Sequence, residues 1–226
     1  MSQGDSKQPY LGRQARRGSS EQRRLSILHA TLRIVAKEGV RAVRHRAVAK
    51  EANVPLSATT YYFKDIHDLL TDAFVLYAQE MKDDFLDPFW RESLCEIDRA
   101  NDEQHGQQRI HQVMDAVSRQ VTLYILKTVK DRREHLMMEF AFLYAALQDE
   151  HLHQSALTHM DNLLMYMRHC MEIVGARSID TAAKSLQALI RRVQYEAMLG
   201  QQDALDEHFL HQMFIKQLEG SCLHVV

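Results

Sequence analysis

Apolar residues along this chain recur every three or four positions, the spacing of one face of an α-helix. Leu25, Leu28, Leu32 and Val35 make the first stripe. Ser19-Ser20-Glu21-Gln22 ahead of it fits a capping box, and Gly39 behind it supplies a stop. A short second helix is expected over about 45–52, with Val48 and Ala52 one turn apart on its inner face. Asn53 tolerates the left-handed backbone that ends such a helix. Val54-Pro55 breaks the chain again, because the residue before a proline avoids the helical region while proline itself suits a first turn. A third helix, the reading helix of the argument below, is expected over about 55–62. Asp65 then caps a fourth over 66–86, with Ile66, Leu69, Leu70, Ala73, Tyr77 and Met81 inward.

Beyond Pro88 the pattern lapses into a polar, irregular stretch at 99–107 and then resumes. Helices are expected over about 108–129 (Ile110, Val113, Met114, Val117 and Val121 inward), 131–147 and 150–174. A further helix runs from Ser178 to Leu199, and a last one over about 203–219 carries Leu210, Met213, Phe214 and Leu218. Gly175 and Gly200 serve as stops. Residues 136–147 are apolar on every side except at Glu139, which predicts a buried central helix. Eight Gly and three Pro in 226 residues argue against a turn-rich all-β chain, so the expected fold is all-α.

Charge divides the chain. Residues 1–64 hold 13 Lys and Arg against four acids, a balance of +9, whereas residues 65–226 balance at −11. A basic head on an acidic body suits a head that faces a polyanion. Residues 1–18 read as a flexible basic arm whose Arg13, Arg16 and Arg17 either reach phosphate or a minor groove or stay in solvent. No apolar run reaches the roughly 20 residues of a membrane span, and the polar start lacks a signal-peptide core. Cys95, Cys170 and Cys222 are too far apart for a disulfide framework or a Cys-based zinc site, so a reduced, cytoplasmic protein is expected. Among 13 His, His151 and His153 point to different helix faces, and His208 and His211 lack a third ligand at normal spacing; no metal or cofactor is expected. No nucleophile motif and no Gly-rich phosphate loop is present, which speaks against an enzyme.

Two short helices joined by a tight turn, in a basic region braced by longer helices, describe either a helix-turn-helix DNA reader or a helical hairpin without DNA. Here the residues of the head resemble the N-terminal domain of the TetR family of transcriptional regulators. The likeness spans residues 20–80. Arg23 and Ile27-Leu28 match in the first helix, Gly39-Val40 at its end, and Ala47-Val48-Ala49 with Ala52-Asn53-Val54 in the second. Thr59-Thr60-Tyr61-Tyr62-Phe63 matches the aromatic end of the third, and Asp68-Leu69-Leu70 follows. The chain departs from the family pattern at several places. Arg44 stands where a capping Thr or Ser is usual, at a cost of about 1 kcal/mol. Asn53 replaces a glycine, Pro55 a capping serine, and Thr60 a common tyrosine.

The resemblance implies an N-terminal helix-turn-helix domain (19–65, braced by 66–86) and a C-terminal helical effector-binding and dimerisation domain (87–226). Its partner would be double-stranded operator DNA. By family position, Arg46 contacts base or phosphate, while Leu56, Ser57, Ala58, Thr60 and Tyr61 lie on or near the exposed face of the reading helix. Tyr62 and Lys64 fall where the backbone is gripped, although either tyrosine could instead pack on the first helix; Phe63 belongs to the core, and His45 only faces solvent. The chemistry agrees: Arg pairs with guanine, Ala and a Thr methyl suit a thymine methyl, and Tyr and Lys suit phosphate.

The body carries no family-wide motif. Seven of the eleven Met fall between 114 and 171, where the family encloses its effector, and they either line a site for a greasy ligand or fill core gaps. The effector residues so expected are Met114, Met137, Glu139, Phe140, Tyr144, Met160, Leu164 and Met167. Glu139 must bridge to His135 or to an arginine of a neighbouring helix, or else anchor a ligand hydroxyl or amine. The last two helices, through Ala182, Leu186, Leu189, Ile190, Val193, Leu210, Met213 and Phe214, would form a four-helix bundle in a homodimer. The function implied is a repressor released from a near-palindromic operator by a small, largely apolar effector. The alternatives are an interaction protein of this fold that has lost DNA binding, or a helical enzyme.

Overall fold

Amphipathic stripes of this period can bury themselves only against other helices. The structure, a computed structural model, describes residues 18–102, 107–200 and 205–222, and the described residues hold helices and no named strand. Residues 1–17 of the expected arm, the centre of the 99–107 stretch and the start of the last expected helix lie outside the described residues. So does the side chain of Ser19, and with it the expected capping box. The chain forms two compact units, and each draws on two separate stretches of sequence.

The first unit comprises residues up to Lys82 together with Met137–His159. It contains α1 (Gly18–Glu38), a 3-10 turn at Val40–Ala42, α2 (His45–Glu51), α3 (Leu56–Tyr62) and α4 (Ile66–Met81). Leu28, Leu32 and Val35 are buried as the stripe requires, joined by Ile27 and Ile34, while Leu25 is half-buried. Within this core Arg24 is fully buried, donates to Asp72 of α4 at 2.6 Å and lies over the Phe63 ring. A buried guanidinium needs such a carboxylate, because desolvation without a partner would cost several kcal/mol. The stops fall where the sequence placed them: Gly39, Asn53, Gly175 and Gly200 all have positive φ. Asp65 caps α4 by accepting from the His67 amide at 3.0 Å.

The second unit comprises Asp83–Leu136 and residues from Met160 onward. One π turn (Lys82–Leu86) follows α4, and α5 (Asp87–Asp102) starts directly after it. The apolar period predicts no separate element here and carries the preceding helix to 86. Pro88 is the reason both could be missed, since it reads as a breaker yet fits the first turn of a new helix, where its absent N–H goes unneeded. Arg99–Asp102, expected to be irregular, completes α5. Then come α6 (Gln107–Lys130), α7 (Arg133–Ala146), α8 (Glu150–Ile173), α9 (Ile179–Met198) and α10 (Glu207–Ser221). α6 is the centre of this unit, packing against α5, α9 and α10 with Val113, Met114, Val117, Val121 and Ile125 buried. Buried polar groups pair across it: Ser93 donates to Gln120, and Gln194 to Thr128.

α7 corrects an expectation. It is not buried all round: Met138, Glu139, Phe142 and Ala146 face the core, whereas Met137 is 46% and Tyr144 62% exposed. The buried residues repeat every three or four positions, so α7 packs on one side only. Apolar composition on the other side signalled burial that the chain's own packing does not provide.

Candidate nucleic-acid interface and effector cavity

The head is built so that one short helix stands out from its support. α2 ends at Ala52, Asn53 adopts φ 52°, and the Val54 amide donates to the Ala49 carbonyl at 3.0 Å. Pro55 (φ −60°, ψ 146°) then launches α3 without a side-chain cap. Arg44 likewise caps nothing at α2; its guanidinium donates instead to the Arg41 and Val43 carbonyls. Arg33 of α1 reaches Glu51 at 2.6 Å, which ties α2 to the support helix.

α3 divides cleanly. Thr59 and Tyr62 are buried, Ala58 is half-buried, and Leu56, Ser57, Thr60 and Tyr61 are exposed. Arg46 on α2 and Lys64 just after α3 are exposed too. The Thr60 hydroxyl leans back on the Ser57 carbonyl at 3.3 Å. One helix of these dimensions fits a B-DNA major groove. Tyr62 departs from its expected place: it is 6% exposed, its hydroxyl lies 2.7 Å from Ser20 of α1, and Tyr61 meets it edge-on. It braces α3 and offers phosphate nothing. Tyr61, 53% exposed, is the tyrosine at the surface.

Two spaces in the second unit bear on a ligand. One is an open cleft of about 460 Å³ between α6 and α10, edged by Arg119, Glu207, His208 and His211. The other is a narrow cavity of about 20 Å³ among Trp90, Tyr124, Leu163, Tyr166, Met167, Ile190 and Gln194. That is the room of a single water molecule. Its walls belong to an aromatic cluster: Trp90 stacks on Tyr166 at 5.9 Å and meets Tyr124 at 5.6 Å, while Phe89 and Phe85 continue the row. The Tyr166 hydroxyl donates to Asp87, and burial together with that carboxylate pushes its pKa far up, so it stays protonated.

The expected effector residues divide between the two units. Met167 lines the narrow cavity, and Met114 and Leu164 are buried in the same unit. Met160 is exposed there. Met137, Glu139, Phe140 and Tyr144 belong to the first unit, and two of the four face solvent. Glu139 is paired, but not with His135 or an arginine: His159 of α8 holds it at 2.7 Å, both side chains being buried. The expected dimer residues also need correction. Ala182, Leu186, Ile190, Val193, Leu210 and Phe214 are buried inside their own unit, and Leu189 and Met213 are partly so. The face of α9 that stays open carries Ala188, Arg192, Tyr195 and Leu199. The aromatic cluster went unread, although Phe85, Phe89 and Trp90 sit at helical spacing in the sequence.

A helix-turn-helix head followed by a helical body is the fold of the TetR-family regulators. The chain is similar to the HTH-type transcriptional regulator PksA of Bacillus subtilis (strain 168), 25% identical over 183 residues that cover 79% of this chain and 80% of that protein. Among solved structures, a member of the TetR family from Streptomyces coelicolor A3 matches with a TM-score of 0.59 at 21% identity, over 86% of this chain and 97% of that one. The multidrug binding protein EbrR complexed with ethidium matches with a TM-score of 0.61 at 22% identity, over the same shares. No family model matches the chain.

Proposed function

We propose that this protein is a DNA-binding transcriptional regulator, a TetR-type repressor that works as a cytoplasmic homodimer and not as an enzyme. The observation that carries the reading is α3: Leu56, Ser57, Thr60 and Tyr61 stand exposed on it, with Arg46 and Lys64 beside them in a head of charge +9. The fold and the likeness to a curated regulator support it. Two heads would grip successive major grooves of a near-palindromic operator, each with its own copy of α3. The open faces of α9 and the later turns of α8, with Tyr195, Leu199, Met160 and Met165 exposed, supply the dimer surface in this reading.

The effector is a small, largely apolar molecule with a flat aromatic face, held among Trp90, Tyr124 and Tyr166. EbrR, of the same fold, is described as binding ethidium, which is such a molecule. One-water room means that the ligand must push side chains apart, and the unbranched Met167 in the wall can yield. The effector then acts by favouring the opened body over the closed one.

Selecting bound fragments from genomic DNA supplies the operator, and two variants test the roles. Arg46→Ala should weaken binding by about 1–3 kcal/mol and relax preference at one base pair per half-site. Lys64→Ala should weaken every sequence alike and lower the salt slope by about one unit. Equal loss on every sequence from both variants would overturn the assignment. The single tryptophan, Trp90, reports on the cavity: an effector entering there quenches it, and in Tyr124→Ala the quench is lost.

A further inference from the structure

Three side chains from two distant stretches of sequence meet at one corner of the first unit. His67 lies in the first turn of α4, Asp149 directly before α8 and His151 in its first turn. His67 Nδ1 lies 2.7 Å from Asp149 Oδ2, and His151 Nδ1 lies 3.1 Å from Asp149 Oδ1. The two imidazoles stack at 4.6 Å with 23° between their planes, so both present the same nitrogen to one carboxylate. The backbone holds the carboxylate in place, because Asp149 also accepts from the His151 amide at 3.0 Å. Nearby, the Thr71 hydroxyl reaches the His151 carbonyl, and Arg41 reaches Gln148.

We infer that His67, Asp149 and His151 bind a divalent transition cation of the zinc class. Two imidazoles and one carboxylate are the donor set this class takes when the fourth position is left to water. In a tetrahedral site with bonds of 2.0–2.2 Å, donor atoms stand about 3.3 Å apart. The two nitrogen–oxygen pairs here stand at 2.7 and 3.1 Å and the three donor groups lie within 4.8 Å of one another, so a metal in place of the hydrogen-bonding protons needs the two imidazoles to turn out of their stack. Side-chain exposures of 40% at His67 and 59% at His151 leave room for that turn and a path for the ion. A bound cation would cross-link the start of α4 to the start of α8 within this unit.

The test is titration of the untagged protein with Zn²⁺ by calorimetry near pH 7.5, before any operator or effector is known. One Zn²⁺ per chain with a micromolar or tighter Kd is expected. His67→Ala and His151→Ala should each weaken binding at least tenfold. Both side chains are at the surface, and circular dichroism should show the fold retained. His153→Ala, exposed two residues further on, should bind as the wild type does. Zn²⁺ should also raise the Tm of the wild type and leave that of His151→Ala unmoved. Absence of saturable binding, or equal binding by His151→Ala, would overturn the site.

Discussion

Removing Glu139 probes whether the one acid in the apolar α7 stretch serves structure. It pairs at 2.7 Å with His159, and both side chains are buried beside Phe74 and Tyr77, whose rings lie 5.5 and 6.0 Å from the imidazole. Glu139→Ala deprives a buried ring nitrogen of this acceptor, about 1–3 kcal/mol. It also opens a cavity the size of the lost side-chain atoms, about 1–2 kcal/mol more. The sum, about 2–5 kcal/mol, spans the 3–5 kcal/mol typical of breaking a buried pair from one side. In a chain of this length that lowers Tm by roughly 6–20 °C. Glu139→Gln should cost only about 1 kcal/mol, because the amide oxygen still accepts from Nε2–H and only the assistance of charge is lost. Replacing both partners together, Glu139→Leu with His159→Leu, should fall closer to the wild type than Glu139→Ala does, since neither member of this pair is then left without the other. Thermal and urea melts followed by circular dichroism at pH 7.5 rank the three. The reasoning is refuted if Glu139→Ala melts within a degree of the wild type, or if the double leucine variant is as damaged as the alanine.

Tyr62→Phe should lose about 1 kcal/mol of stability with its bond to Ser20 and keep operator affinity; a gel-shift loss at unchanged Tm would return Tyr62 to the DNA surface. Asn53→Ala should cost about 1 kcal/mol, because a Cβ without a polar tip is strained at φ 52°, while Asn53→Gly should be nearly neutral by the same melt. Burial alone would raise the Asp149 carboxyl, yet hydrogen bonds from His67 and His151 overcome it and hold the group below its ordinary 3.8. Its stabilisation is therefore complete above that value and is lost as pH falls through the lowered one. With chelator present, the stability gap between wild type and Asp149→Asn should close as pH drops below about 4 and stay constant above about 5; a gap that ignores pH would refute this.

What the sequence determined by itself was local. Positive φ at Gly39, Asn53, Gly175 and Gly200, the cap at Asp65, the missing cap at Arg44 and the limits of α2 and α3 depend on residues within a few positions of one another. Apolar period therefore sufficed for those elements, and the same local pattern carried the resemblance of the head. Pro88 shows where locality misleads, because one residue fits both an end and a beginning. The tertiary structure decided whatever depends on which face finds a partner. Tyr61 and Tyr62 are chemically alike neighbours, and the packing of α3 on its support, with Tyr62 against Ser20 of α1, buries one and leaves the other at the surface. Glu139 announced that it needed a partner, but His159 lies 20 residues away on another helix, at a spacing no periodicity encodes. Leu186 and Ile190 look the same in sequence whether they face their own core or a second copy, and packing against the rest of their unit chose the former. His67 meets His151 across 84 positions of chain for the same reason: helix formation is settled within a turn, whereas side chains on different helices meet only when the helices pack.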